Sequence, residues 1–295
     1  MLKPSFFSVD LELTNLCENK CLMCPRDAIK RTRGLMDEET FTQIISILKK
    51  RKPLVTLSGM GDPLRHPLCL EYVRRLREEM IPAGLVVHPL SLLKSGIMEG
   101  LKKARPNQVL VSFPSSRKDM FESLCPDISF NTALEAVKTL LRLSKGKFGV
   151  RVSGLMTQIN SDEKKEYVRF WQDLGVHAWI RTCHGRGGNL KDSSIYRRKK
   201  SGPDNSPCSL FLFHSFITWE GEVLACCHDL TGETRLCNIR DGADEIISNK
   251  QKILSKSPLF DLCKVCDEPL RNVKISALSS DEKISRRRFF KGIKT

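Results

Sequence analysis

No segment of this chain is apolar over the roughly 20 residues that a helix needs to cross a bilayer, which excludes a helical membrane protein. The opening, MLKPSFFSVD, lacks the basic region, apolar run and small-residue cleavage site of a secretory signal. Both absences point to the cytoplasm. Hydrophobic residues are not scarce: at 40% of 295 residues they can build one large core, or a large core and a small second domain. Acidic residues are fewer than basic ones, 34 against 49, giving a net charge of +15. That surplus suggests nucleic acid or an acidic partner until it is mapped. Residues 181–200 carry seven Lys/Arg to one Asp and residues 271–295 carry eight to two acids, which leaves +3 for the other 250 residues. A basic linker and a basic tail are more often solvated segments than a docking groove, so a nucleic-acid partner is the lesser reading, and no membrane partner is expected. SRRRFFKG in the tail looks like a twin-arginine export motif, but it stands at the wrong end of the chain with no apolar run behind it.

The most telling absence is a fourth cysteine beside CENKCLMC. Cys17, Cys21 and Cys24 fall within eight residues. A structural zinc site takes four protein ligands and a disulfide takes two, so a trio suits a site that keeps one position open. In a cytoplasmic chain, twelve cysteines read as metal ligands or redox groups before a disulfide framework.

Phe7, Val9, Leu11 and Leu13 alternate along FSVDLELT, which predicts a strand that delivers the trio at its C-terminal end. DEETFTQIISILKK then has the apolar face and end charges of an amphipathic helix. Further strands are expected near 54–58, 84–88, 108–113, 148–154 and 176–181, with helices near 68–80, 91–103, 131–144 and 162–174. Six strand–helix units imply parallel strands joined by right-handed crossovers in an α/β open or partial barrel. Chemistry in such folds collects beyond the strand C-termini, where SGMGDP, Ser112, RVSG and RTCHGRGG are expected.

CENKCLMC resembles the C-x3-C-x2-C loop of the radical S-adenosylmethionine (radical SAM) superfamily, which follows the first strand of a partial (β/α)6 TIM-like barrel. The resemblance implies that Cys17, Cys21 and Cys24 hold three irons of a 4Fe-4S cluster whose fourth iron binds SAM. It also implies that Met23 and the Gly59-Met60-Gly61-Asp62-Pro63 turn contact SAM. Asp62 stands where the family has Glu, one methylene longer. Ser112, Arg151 and Ser153 match positions that touch the SAM carboxylate or ribose. Where relatives carry Thr-Asn-Gly after the third strand, this chain has His88-Pro89-Leu90-Ser91.

Beyond KDSSIYRRKKSGPDNSP, whose composition marks a boundary, ITWEGEVLA predicts a β-hairpin and DGADEIISNKQKIL a helix. Cys208, Cys226, Cys263 and Cys266 form a foursome around them. On count alone this is a zinc site. Its layout resembles SPASM/twitch domains, which implies an auxiliary 4Fe-4S cluster, and the absence of cysteines after Cys266 matches the shorter twitch form. The spacing is similar to the aminocyclitol dehydrogenases of butirosin biosynthesis. The expected organisation is a barrel over 1–190, a basic linker over 191–206, a twitch-like domain over 207–270 and a basic tail over 271–295.

Cys69, Cys125 and Cys183 are expected as core or lining residues. Cys227 should point away from Cys226, because neighbours in a strand face opposite sides. His184 is expected to be a structural hydrogen-bonder. The resemblance implies reductive cleavage of SAM, hydrogen abstraction from a small-molecule or peptide substrate, a two-electron oxidation, and a reductant such as flavodoxin or ferredoxin. The barrel starts within ten residues of Met1, which argues against a separate leader-binding domain. Peptide maturation by thioether or carbon–carbon crosslinking or epimerisation is the alternative, and a zinc-containing nucleic-acid-binding module is the rival from another class. No residue is identifiable as a proton acceptor.

Overall fold

The computed structural model describes residues 4–191, 194–196, 208–254 and 259–268; most of the expected linker and all of the basic tail lie outside them. Alternation sets the strands: β1 (Ser8–Leu11) buries Val9 and Leu11 and turns Ser8 and Asp10 the other way. β2 (Leu54–Leu57), β3 (Ala83–Val87), β4 (Gln108–Ser112), β5 (Gly149–Met156) and β6 (His177–Thr182) each pair parallel with the strand before. Parallel neighbours need crossovers, so helices intervene.

The first crossover, α1 (Glu38–Arg51), starts where the Asp37 carboxylate accepts from the Thr40 amide and ends at Lys52, which is left-handed at φ 48°. Its Phe41, Ile44 and Leu48 are buried in the core with Val9 and Leu11, each contributing about 1.5–3 kcal/mol by burial. α2 (Cys69–Glu78) packs alongside, with Tyr72 stacked on Phe41 at 3.7 Å. The helix expected over 91–103 is two helices, α3 (Pro89–Leu92) and α4 (Ile97–Ala104), because Gly96 adopts φ 78° between them. α5 (Lys118–Leu124), not expected from the sequence, precedes α6 (Phe130–Ser144), and α7 (Lys164–Asp173) leads to β6.

The remainder forms α8 (Ser209–Phe213), β7 (His214–Ile217), β8 (Glu222–Leu224), β9 (Arg235–Asn238) and α9 (Ala243–Ile253). The expected hairpin is β7–β8, and β9 adds a third antiparallel strand. β7 also pairs parallel with β1, Ser8 opposite His214 and Leu11 opposite Ile217. One nine-stranded sheet results, in the order β6-β5-β4-β3-β2-β1-β7-β8-β9. The outer face, with Val9, Leu57, Leu85, Val109 and Val152, is buried.

Register assigns the inner face. Asp10 pairs with Thr56 and Phe216, Leu110 with Arg151, Ser112 with Ser153, and Ser153 with Trp179, so these side chains share one side. Among the described residues, no helix is long and apolar enough to cross a membrane.

Candidate active site at the barrel mouth

The cysteine loop leaves and rejoins the scaffold at one point. Thr14 and Leu35 form an antiparallel bridge, the Thr14 hydroxyl donates to the Gly34 carbonyl at 2.7 Å, and the Asn15 amide group donates to the Thr32 carbonyl at 2.7 Å. Trp219 from the β7–β8 turn closes the base: its indole N–H donates to Thr32, and a Cβ at Gly34 would lie 2.6 Å from its ring. At the tip, the Leu22 amide donates to the Leu124 carbonyl at 3.1 Å and the Lys20 amide to the Asp127 carboxylate. The loop is therefore strapped to the end of α5. Met23 is half-buried and packs against Leu124, Leu190 and Ile195.

Burial pushes the Cys17 and Cys24 thiols up; the Asn19 and Arg26 amides respectively oppose it. The Cys21 thiol is also pushed up, first by the neighbouring Cys125 thiol and then by burial, with His88 opposing. Cys125 Sγ stands 3.8 Å from Cys21 Sγ, and a ring nitrogen of His88 lies within 4.8 Å of both. Among the described residues, the groups that close to 4.8 Å do not include the trio Cys17, Cys21 and Cys24 together.

The β2 turn presses on the root of this loop. A Cβ at Gly61 would lie 2.3 Å from the Thr14 carbonyl oxygen, and one at Gly59 would lie 2.6 Å from the Glu12 side chain. Only glycine allows this approach. Asp62 is buried, which raises its carboxyl pKa, while its Oδ1 accepts from the Leu64 amide and its Oδ2 from the Ser91 hydroxyl. Both oxygens already have protein partners, so a ligand at this turn would meet their remaining lone pairs or the backbone. Pro63 opens the short helical turn that follows.

Ser112, Arg151 and Ser153 share the inner face across β4 and β5. Burial lowers the Arg151 guanidinium pKa, and among the described residues no carboxylate pairs with it. Its guanidinium lies 6.0 Å from the Trp179 ring centre, with Arg181 at 5.7 Å from the same ring. A half-buried cation without a counter-charge is suited to an anionic ligand group. The thiols, the glycine turn and Arg151 together fit a cluster and a zwitterionic ligand.

The second cysteine set lies beside the mouth. Cys208 caps α8, Cys226 follows β8, and Cys263 sits in a helical turn over Asp261–Lys264, followed by Cys266. Phe211 of α8 packs on Phe260 at 6.3 Å, which holds the first and third of these segments together, and Cys226 lies in the field of Cys266. Cys227 does not point away from Cys226 as expected: both lie in the turn after β8, where strand alternation no longer holds, and their thiols interact, while Cys227 also comes within 4.8 Å of Asp10 and His214. Cys69 is a core residue, as expected, while Cys125 is the partner of Cys21.

His184 joins a cluster that was not apparent in the sequence. Glu268 Oε2 is 2.8 Å from His228 Nε2 and 3.1 Å from His184 Nε2. Burial, with His228 and Arg186 nearby, lowers His184 to about 4. Burial would lower His228 too, but Cys227 and Glu268 overcome it and raise the group to about 9. Asp267, the neighbour of Glu268, accepts from the Gly185 amide at 2.8 Å, so the segment after the C-x2-C pair is tied to the loop after β6.

The family model of the radical SAM superfamily matches residues 11–170, more than half of the chain. The chain belongs to the radical SAM superfamily. Radical SAM proteins bind SAM and a 4Fe-4S cluster. The tungsten-containing aldehyde ferredoxin oxidoreductase cofactor-modifying protein of Pyrococcus furiosus is 23% identical over 176 residues, covering 58% of this chain and 49% of that relative. The chain thus spans about half the length of the curated relative it matches. Among solved structures, BtrN in complex with AdoMet and 2-DOIA is 17% identical with a TM-score of 0.59, covering 91% of this chain and 95% of its own. Streptococcus suis SuiB bound to precursor peptide SuiA is 14% identical at a TM-score of 0.59, covering 90% of this chain and 72% of its own. These likenesses establish the radical SAM fold over most of the chain.

Proposed function

We propose that this radical SAM enzyme is an oxidoreductase of the SPASM/twitch type, in which a substrate loses a hydrogen atom and then a second electron. Cys17, Cys21 and Cys24 hold the SAM cluster. Met23, Gly59, Gly61, Asp62, Pro63, Ser112, Arg151 and Ser153 hold SAM, and Cys208, Cys226, Cys263 and Cys266 hold the auxiliary 4Fe-4S cluster. The observation that carries the reading is the seating of the glycine turn on the root of the cysteine loop, above the face bearing Ser112, Arg151 and Ser153. When bound, the first cluster supplies the single low-potential electron for cleavage of SAM to methionine and a 5′-deoxyadenosyl radical. The chain's own part is to keep three thiols on one restrained loop, to offer Arg151 to an anionic group, and to keep water from the mouth.

In this reading residues 1–190 are the barrel, 191–206 a linker, 207–270 the auxiliary-cluster unit and 271–295 a tail. The setting is cytoplasmic, with a flavodoxin or ferredoxin as electron donor. The likeness to SuiB bound to its precursor peptide favours a second reading, modification of a ribosomally made peptide.

Anaerobic reconstitution should give about eight irons per chain with matching sulfide, as two 4Fe-4S clusters require. Stoichiometric zinc without sulfide would sink the proposal. With SAM and a reductant the loaded enzyme should form 5′-deoxyadenosine, and Cys21→Ala should abolish it.

A further inference from the structure

Two buried donors converge on one of the three thiols. Cys125, 2% exposed, is placed as an S–H donor to Cys21 at 3.8 Å. His88, 8% exposed, brings a ring nitrogen within 4.8 Å of both sulfurs. Its Nδ1 accepts from the Leu90 amide at 3.2 Å, capping α3, so in the neutral ring the proton sits on Nε2. That Nε2 is shut off from water and has no partner among the described residues. A buried donor left unpaired is costly, and the Cys21 and Cys125 sulfurs, within 4.8 Å of a nitrogen of this ring, are acceptors beside it.

Cys17 and Cys24 are served differently. Cys17 takes the Asn19 side-chain amide at 3.4 Å, and Cys24 has the Arg26 amide and the Arg186 guanidinium near it. Among the described residues, Cys21 is the thiol of the trio on which two side chains from separate crossovers, at the start of α3 and the end of α5, close.

We propose that His88 and Cys125 are positioning residues for the SAM cluster: with Cys21 bound to iron as thiolate, His88 Nε2–H and Cys125 Sγ–H both donate to its sulfur and set the cluster's reduction potential. The inference rests on Cys21 being a cluster ligand. Donors to a cluster sulfur withdraw electron density and raise the potential, and a charged acceptor strengthens even a weak thiol donor. Without them the cluster is harder to reduce, and a given reductant fills it less completely.

The test is an electron paramagnetic resonance redox titration of the full, anaerobically reconstituted chain, following the signal that changes when SAM is added. His88→Asn keeps an oxygen for the Leu90 amide and removes Nε2; His88→Gln returns an amide N–H to the Nε2 position. The midpoint of the SAM-responsive signal should move negative in His88→Asn and in Cys125→Ala at unchanged iron and sulfide content, and should return toward wild type in His88→Gln. Wild-type midpoints in both His88→Asn and Cys125→Ala overturn the inference. If His88→Asn takes up no iron, the Cys125→Ala midpoint decides alone, because that change leaves the α3 cap intact. A Cys21→Ala chain that keeps a full SAM-responsive signal would instead overturn the ligand assignment beneath it.

Discussion

Asp229 takes five hydrogen bonds: Oδ1 accepts from the Thr231 and Gly232 amides and the Thr231 hydroxyl, and Oδ2 accepts from the Thr234 amide and hydroxyl. Burial alone would raise its pKa, but the donors prevail and hold it below the ordinary carboxylate value. A folded-state pKa below the unfolded one, about 3.9, means stabilisation that is present above that pH and lost as pH falls through the folded value. Asp229→Asn turns an acceptor into a donor facing amide N–H groups and should cost about 1–3 kcal/mol at neutral pH. In thermal melts of the reduced, cluster-free chain, its gap from wild type should close below about pH 4; a gap constant with pH would contradict the assignment. The same scale shows what a sequence exposes of a site. Three thiols within eight residues are neighbours in almost any fold, so the trio was legible. Cys125 lies 104 residues from Cys21 and meets it only because the loop after β1 is tied to the end of α5. His88 was visible as a departure from the family's turn, but its target was not. Glu268 and His228, 40 residues apart, were hidden for the same reason.

Among the elements, α1 had every local signal. Asp37 caps it, Glu38 and Glu39 fill the first turn, Lys49, Lys50 and Arg51 fill the last, and one face is apolar. Removing the cap in Asp37→Ala should cost about 1 kcal/mol in urea unfolding, with the slope unchanged. Elements without such signals were misjudged. Apolar periodicity runs through 91–103 and does not register that Gly96 takes a left-handed conformation, so two helices read as one. α5 has only seven residues, too few for a repeating pattern, although Phe121 and Leu124 are buried. β9 has four, and a single alternation predicts little.

At the scale of the whole molecule, the alternation of strand and helix was enough to require a parallel sheet, and the barrel order follows chain order from β1 to β6. The attachment of the C-terminal hairpin was not legible, because β7 and β8 satisfy each other in sequence and read as an autonomous unit. In the structure β7 is also hydrogen-bonded to β1, so β1 lies inside the sheet. A chain stopped after residue 190 would leave β1 as a bare edge with Val9 and Leu11 beside it. Such a fragment should aggregate where the full chain elutes as a discrete species in gel filtration. A well-behaved fragment would show that the pairing is dispensable. Ser8 and His214 are 206 residues apart. At about 5–20 residues per second on the ribosome, β1 waits roughly 10–40 s for its second neighbour. During that interval one flank of β1 keeps its backbone N–H and C=O groups unpaired, the condition under which a strand can be captured by another chain.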